Sequence, residues 1–136
     1  MATKFLKQYE ILFKKAKVDL HSAKILLRSF NEGDVELELD VIFFHLQQCS
    51  EKLIKVVLDL HTIKFPHTHD LKNLIHLINE NSIDTTHDIK LLIPLTEFAV
   101  EGRYAIIHDD LDDADKYIEL LDRLLKFVQK KVINDK

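Results

Sequence analysis

IFFHLQQCSEKLIKVVLDL, running from Ile42 to Leu60, repeats its apolar residues at the period of an α-helix. Ile42, Leu46, Cys49, Leu53, Val56 and Leu60 alternate steps of four and three, and Phe43, Ile54 and Val57 widen the stripe to a second side. A helix apolar around so much of its circumference belongs at the centre of a bundle. His45, Gln48, Lys52, Lys55 and Asp59 form its remaining polar line at the same period. They are expected to edge a cleft or a partner surface.

The flanking segments are helical too. Leu6, Tyr9, Phe13, Ala16, Leu20, Ala23, Leu27 and Phe30 predict a first helix over about 4–29, and Asn31-Glu32-Gly33-Asp34 ends it, with Gly33 suited to the left-handed backbone of a C-terminal cap. So short a link makes the second helix, from near Val35 to about His61, antiparallel to the first. Pro66 then breaks the chain. Thr68 is expected to cap a third helix that ends near Asn81, with Asp70 in its first turn and Leu71, Leu74, Ile75 and Ile78 on its apolar face.

A fourth helix is expected over about 86–101, kinked or broken at Pro94, and residues 103–111 read as a loop or helix start. The last helix begins at Asp112 or Asp113 and turns Ala114, Ile118, Leu121, Leu125, Val128 and Val132 inward. Asp113 and Asp115 fall in its first turn, and Lys126, Lys130 and Lys131 are placed in its last, each favourable for the helix dipole. The expected fold is all-α: an antiparallel four- to five-helix up-and-down bundle, one domain over residues 1–136.

Composition agrees. Two Gly, two Pro and no Trp in 136 residues leave little turn-rich punctuation for a β-sandwich, and the length suffices for a core without metal or disulfide staples. A net charge of −4 with 31% charged residues is not that of a broadly basic nucleic-acid protein, so any RNA contact rests on a local patch. The lone Cys49 falls on an apolar stripe, as suits a small hydrophobe in a reducing, cytoplasmic setting. No apolar run reaches the length of a membrane span, so no membrane partner is expected.

Among chemical motifs, His67-Thr68-His69 with His61 nearby offers nitrogen ligands but no HExxH and no Cys partner, so no metal site is expected. The alternative leaves His67 in solvent and gives His69 a role in capping helix three. Asp109, Asp110, Asp112 and Asp113 read as a solvated cluster at a helix start. Arg103-Tyr104-Ala105-Ile106-Ile107-His108 pairs a fixed cation with a titratable imidazole, separated by four residues. On one RNA phosphodiester, Arg can bind the phosphoryl oxygens while His moves the proton of the ribose 2′-hydroxyl, with no metal or cofactor required. The competing view pairs Arg103 with a carboxylate such as Glu51 or Glu97 and leaves His108 in a solvated loop.

Asp19-Leu20 with Ala23, Phe44-His45, Gln47-Gln48, Glu51-Lys52 with Lys55, Phe65-Pro66, Thr68-His69-Asp70-Leu71 and Arg103-Tyr104 together resemble the HEPN domains of prokaryotes, over nearly the whole chain. The resemblance implies a homodimer, often encoded beside a minimal nucleotidyltransferase as in a toxin and antitoxin pair. In the family's active branch it implies a metal-independent endoribonuclease, with Arg103 and His108 as catalytic residues. Gln48, Lys52, Arg103 and Tyr104 are the candidates for binding RNA or a nucleotide. Tyr104 departs from the active branch, which often has a polar residue after Arg. Arg-Tyr is similar instead to a branch whose motif continues with Pro and in which many members lack the catalytic His, with Ala105 at the Pro position here. Asp110 stands where some toxin members carry an adenylyl-accepting Tyr. The alternative is a non-catalytic, dimeric module that binds a nucleotide or the nucleotidyltransferase.

Overall fold

The computed structural model describes residues 6–33, 39–99 and 111–135. Among the described residues there are four α-helices and one 3₁₀ helix: α1 (Gln8–Asn31), α2 (Leu39–Leu60), α3 (Leu71–Glu80), the 3₁₀ helix (Ile89–Phe98) and α4 (Leu111–Asp135). No strand occurs among the described residues, as the all-α reading requires.

α2 is the axis of the bundle. It packs on α1, α3, the 3₁₀ helix and α4, and twelve of its 22 residues are buried. The stripe explains why: Ile42, Leu46, Cys49, Leu53 and Val56 are fully enclosed, and Phe43, Ile54 and Val57 are nearly so. Tyr9, Phe13, Ala16, Leu20, Ala23 and Leu27 of α1 meet them from one side, and Leu121, Leu124, Val128 and Val132 of α4 from another. A Lys24–Asp122 ion pair at 2.6 Å joins α1 to α4 at the surface.

The helix ends differ from expectation in informative ways. α1 stops as predicted at Gly33, whose φ of +95° carries the chain out of the helix, while the Glu32 N–H still bonds the Arg28 carbonyl at 3.0 Å. α2 and α3 end without glycine. Thr62 and Ser82 themselves take the left-handed backbone, with φ of 56° and 53°, and the following amides reach back five residues, Ile63 N to Leu58 O at 2.9 Å and Ile83 N to Ile78 O at 3.1 Å. At the start of α3 the cap is Asp70 rather than Thr68: the Asp70 carboxylate accepts from the Lys72 N–H at 3.0 Å. Thr68 lies two residues further out and accepts from the Asp70 N–H.

The expected fourth helix is shorter and wound differently. Pro94 removes an N–H, and in an α-helix its ring would meet the carbonyl of residue 90. The segment Ile89–Phe98 instead takes the tighter 3₁₀ winding and buries Ile89, Leu92 and Leu95. In α4 the helix continues to Asp135, so no base lies in its last turn, and Lys126, Lys130 and Lys131 sit at least a turn upstream of the C-terminal dipole. Leu124 is buried there, while Ile118 and Leu125 are only partly covered. Leu6 precedes α1 and is exposed.

Candidate RNA- or nucleotide-binding site

The polar line of α2 lies half-buried along the seams of the bundle, and each seam is organised by one buried carboxylate. Towards α1 the carboxylate is Asp19, 8% exposed. His45 and Lys52 stand seven residues apart on α2, two turns, and so bracket it from one helix face. His45 Nδ1 donates to Asp19 Oδ1 at 3.1 Å, and the Lys52 ammonium donates to Asp19 Oδ2. A buried aspartate is tolerated here because both of its oxygens meet donors.

Towards the connector after α2 the carboxylate is Glu51, 4% exposed. Gln47, Glu51 and Lys55 form an i, i+4 ladder: Gln47 Nε2 donates to Glu51 Oε1 at 3.2 Å, and Lys55 Nζ to Glu51 Oε2 at 2.9 Å. His69 Nδ1 joins from the connector at 2.8 Å. Gln47 also donates to the His69 carbonyl at 3.1 Å and accepts from Gln48 Nε2 at 2.7 Å. Lys55 rides above the Phe65 ring at 5.8 Å. Burial alone would push the Glu51 carboxyl up, but the hydrogen bonds from Lys55, His69 and Gln47 outweigh it and hold the carboxyl below its ordinary range. Between the two seams, burial pushes the Cys49 thiol well up, so it stays protonated and inert.

The candidate site residues therefore fall into two groups. Both Gln48 and Lys52 already hold protein partners: Lys52, beside His45, neutralises Asp19 of α1, and Gln48 donates to Gln47 of the connector seam. Arg103, Tyr104 and His108 lie outside the described residues. The chain to either side of them is anchored on Phe43, which stacks against Phe98 with ring centroids 5.0 Å apart and receives the edge of Tyr117 at 6.0 Å. At about 100° per residue, Gln48 and Lys52 point roughly 140° and 180° around α2 from Phe43. Gln48 and Lys52 therefore point away from the Phe43, Phe98 and Tyr117 ring cluster across the central helix.

Of the carboxylates considered as partners for Arg103, Glu51 already takes three side-chain donors. His69 serves Glu51 rather than capping α3, His61 Nδ1 donates to the Val57 carbonyl at 2.9 Å, and His67 is exposed. Among the described residues no three His, Cys, Asp or Glu side chains gather as a metal ligand set. No described helix is long and apolar enough to cross a membrane.

Asp19 and Glu51 were the residues that periodicity alone did not single out. Their signal was present, since Asp19 falls between Ala16 and Ala23 on the inward face of α1, and Glu51 is flanked by Gln47 and Lys55 at helical spacing.

A bundle built around one helix, with a doubled-glutamine and Glu-Lys pattern turned into its seams, defines a narrow class of all-α domains. The HEPN domain family model matches residues 9–132. This chain belongs to the HEPN family. The crystal structure of an archaeal HEPN homologue shares the fold, with a TM-score of 0.67 over 93% of this chain and 99% of that one, at 21% identity. No curated protein matches this chain.

Proposed function

We propose that this HEPN protein is an RNA-directed component of a pair formed with a nucleotidyltransferase, of the toxin and antitoxin type, and that it acts as a homodimer in the cytoplasm. Arg103 and His108 then form a metal-independent endoribonuclease site that needs no cofactor. His108 takes the proton of a ribose 2′-hydroxyl, the 2′-oxygen attacks phosphorus, and Arg103 holds the phosphoryl oxygens as charge builds on them. The 5′-oxygen of the next nucleotide leaves with a proton from solvent, and a 2′,3′-cyclic phosphate remains. The observation that carries this reading is that Arg103 and His108 stand with four residues between them inside the region matched by the family model. Gln48 and Lys52, with Tyr104, would contact RNA or nucleotide beyond the scissile phosphate.

The test is cleavage of single-stranded RNA by purified protein in the presence of chelator. RNA should be cut, DNA of the same sequence spared, and His108→Ala and Arg103→Ala should each slow the reaction by about a hundredfold or more. Equal cleavage by His108→Ala would assign the activity elsewhere. Sedimentation showing only monomer at micromolar concentration would overturn the dimer. Tyr104, which stands where active members often carry a polar residue, favours a second reading: a non-catalytic module that binds a nucleotide or the partner. It would be supported if RNA stays intact with every variant while Arg103→Ala abolishes nucleotide binding.

A further inference from the structure

The outer face of α1 carries a repeat that neither the core nor the candidate site uses. Ile11, Val18 and Ile25 recur at seven residues and are 42%, 60% and 46% exposed, three of the six exposed large hydrophobics among the described residues. Three residues after each comes a base, Lys14, His21 and Arg28, all exposed. An apolar row and a basic row therefore run side by side along the crest of the helix, with repeats about 10.5 Å apart.

Within α1 no acidic side chain is fully exposed, since Glu10, four residues before Lys14, is half-buried and Asp19 is buried against Lys52 and His45. Glu32 at the C-terminal cap, four residues after Arg28, is the one exposed acid beside the row among the described residues. Lys24, Lys52 and Lys55 each pair with a carboxylate. Among the described residues Lys14 and Arg28 pair with none. This accumulation of cation stands out in a chain of net charge −4.

We propose that the crest of α1 is a docking face for an acidic amphipathic helix of a partner protein, independently of the RNA reading above. A second helix laid along α1 would set its own seven-residue apolar seam on Ile11, Val18 and Ile25, and acids flanking that seam would meet Lys14, Arg28 and, when protonated, His21. A second copy of this chain fits poorly, because two basic rows would face each other across the seam. Single-stranded RNA could use the bases, but the branched aliphatic side chains along the centre of the face give its phosphates no donor.

The experiment is fluorescence anisotropy with the full chain and a labelled, glutamate-rich three-heptad peptide whose leucines repeat at the first and fourth heptad positions. The expected result is saturable binding, weakened about tenfold or more when the leucines are scrambled at constant composition, when Val18→Glu is introduced, or when Lys14→Glu and Arg28→Glu are combined. Val18 is exposed, so an unchanged melting temperature for Val18→Glu will certify its fold. Failure to bind, or equal binding of the scrambled peptide, overturns the proposal. So does a wild-type dimer that Val18→Glu dissociates, which would give the face to a second copy. Displacement of the peptide by single-stranded RNA or anionic vesicles whose own binding ignores Val18→Glu would make it a phosphate-binding surface and also overturn the proposal.

Discussion

His69 donates through Nδ1 to Glu51 Oε1 at 2.8 Å, and that bond ties the proline-containing connector to the central helix. Its partners make Glu51 more than a connector anchor. The carboxylate also takes Gln47 and Lys55, so a group whose burial would favour the neutral form is held ionised.

The first prediction follows from the sign of that shift. The folded Glu51 carboxyl titrates below the ordinary 4.5 of a glutamate, so its contribution to stability is fully present above that value and is lost as pH falls through the lower folded value. Glu51→Gln should lower stability by roughly 3 kcal/mol at neutral pH, since Lys55 loses its carboxylate. As pH falls through that lower folded value the variant and wild type should converge. Urea midpoints measured from neutral pH downward check this, and a gap that does not narrow as the medium is acidified would refute it.

A second prediction separates structure from binding at Lys52. Lys52→Ala leaves Asp19 buried with only His45, which should cost about 3 kcal/mol. Any loss of RNA or nucleotide binding in that variant is then ambiguous. Asp19→Asn combined with Lys52→Met removes both charges, and should be more stable than Lys52→Ala by at least about 1 kcal/mol. If Lys52 contacts a ligand, this double variant, stable by urea titration, should still bind less tightly than wild type.

Third, the left-handed residues that close α2 and α3 are strained for their type. Thr62 is β-branched at φ 56° and Ser82 sits at φ 53°, where a Cβ is disfavoured. Thr62→Gly and Ser82→Gly should each stabilise the fold by about 0.5 to 1 kcal/mol, the lost strain exceeding the added freedom of the unfolded chain. Thermal melts of the single variants test this. Gly33→Ala should act in the opposite direction, because φ +95° suits glycine alone.

These residues also show what the sequence could and could not disclose. The bundle was legible because burial on helices leaves a 3.6-residue signature, and α2 carries it on two sides, from Ile42 to Val57. Glycine made the end of α1 readable, but Thr62 and Ser82 close their helices by hydrogen bonds that leave no residue signature. Pro94 announced a disruption without saying that the whole segment would wind as a 3₁₀ helix, which depends on how Ile89, Leu92 and Leu95 meet α2 and α3. At the candidate site, the period put Gln48 and Lys52 on one polar line, but it could not show that Asp19 from another helix already holds Lys52. That pairing is a long-range contact, and periodicity reports only local ones.

The last prediction concerns the proposed chemistry and uses Arg103→Lys. Lysine keeps the positive charge but offers a compact ammonium in place of a planar fork, so it cannot present two parallel N–H groups to two phosphoryl oxygens. If Arg103 serves mainly as a charge that attracts RNA, Arg103→Lys should cleave nearly as fast as wild type, and both should slow equally as salt is raised. If it clamps the phosphoryl group in the transition state, Arg103→Lys should retain RNA affinity yet remain slowed by about tenfold or more at saturating RNA, approaching Arg103→Ala in turnover but not in binding. The proposed site requires the second outcome. A substrate carrying a 2′-deoxyribose at the cleaved position should resist wild type and every variant alike, because the attacking oxygen is gone. Cleavage of that substrate at the substituted linkage would show that water, not the ribose hydroxyl, is the nucleophile, and would remove the role assigned to His108.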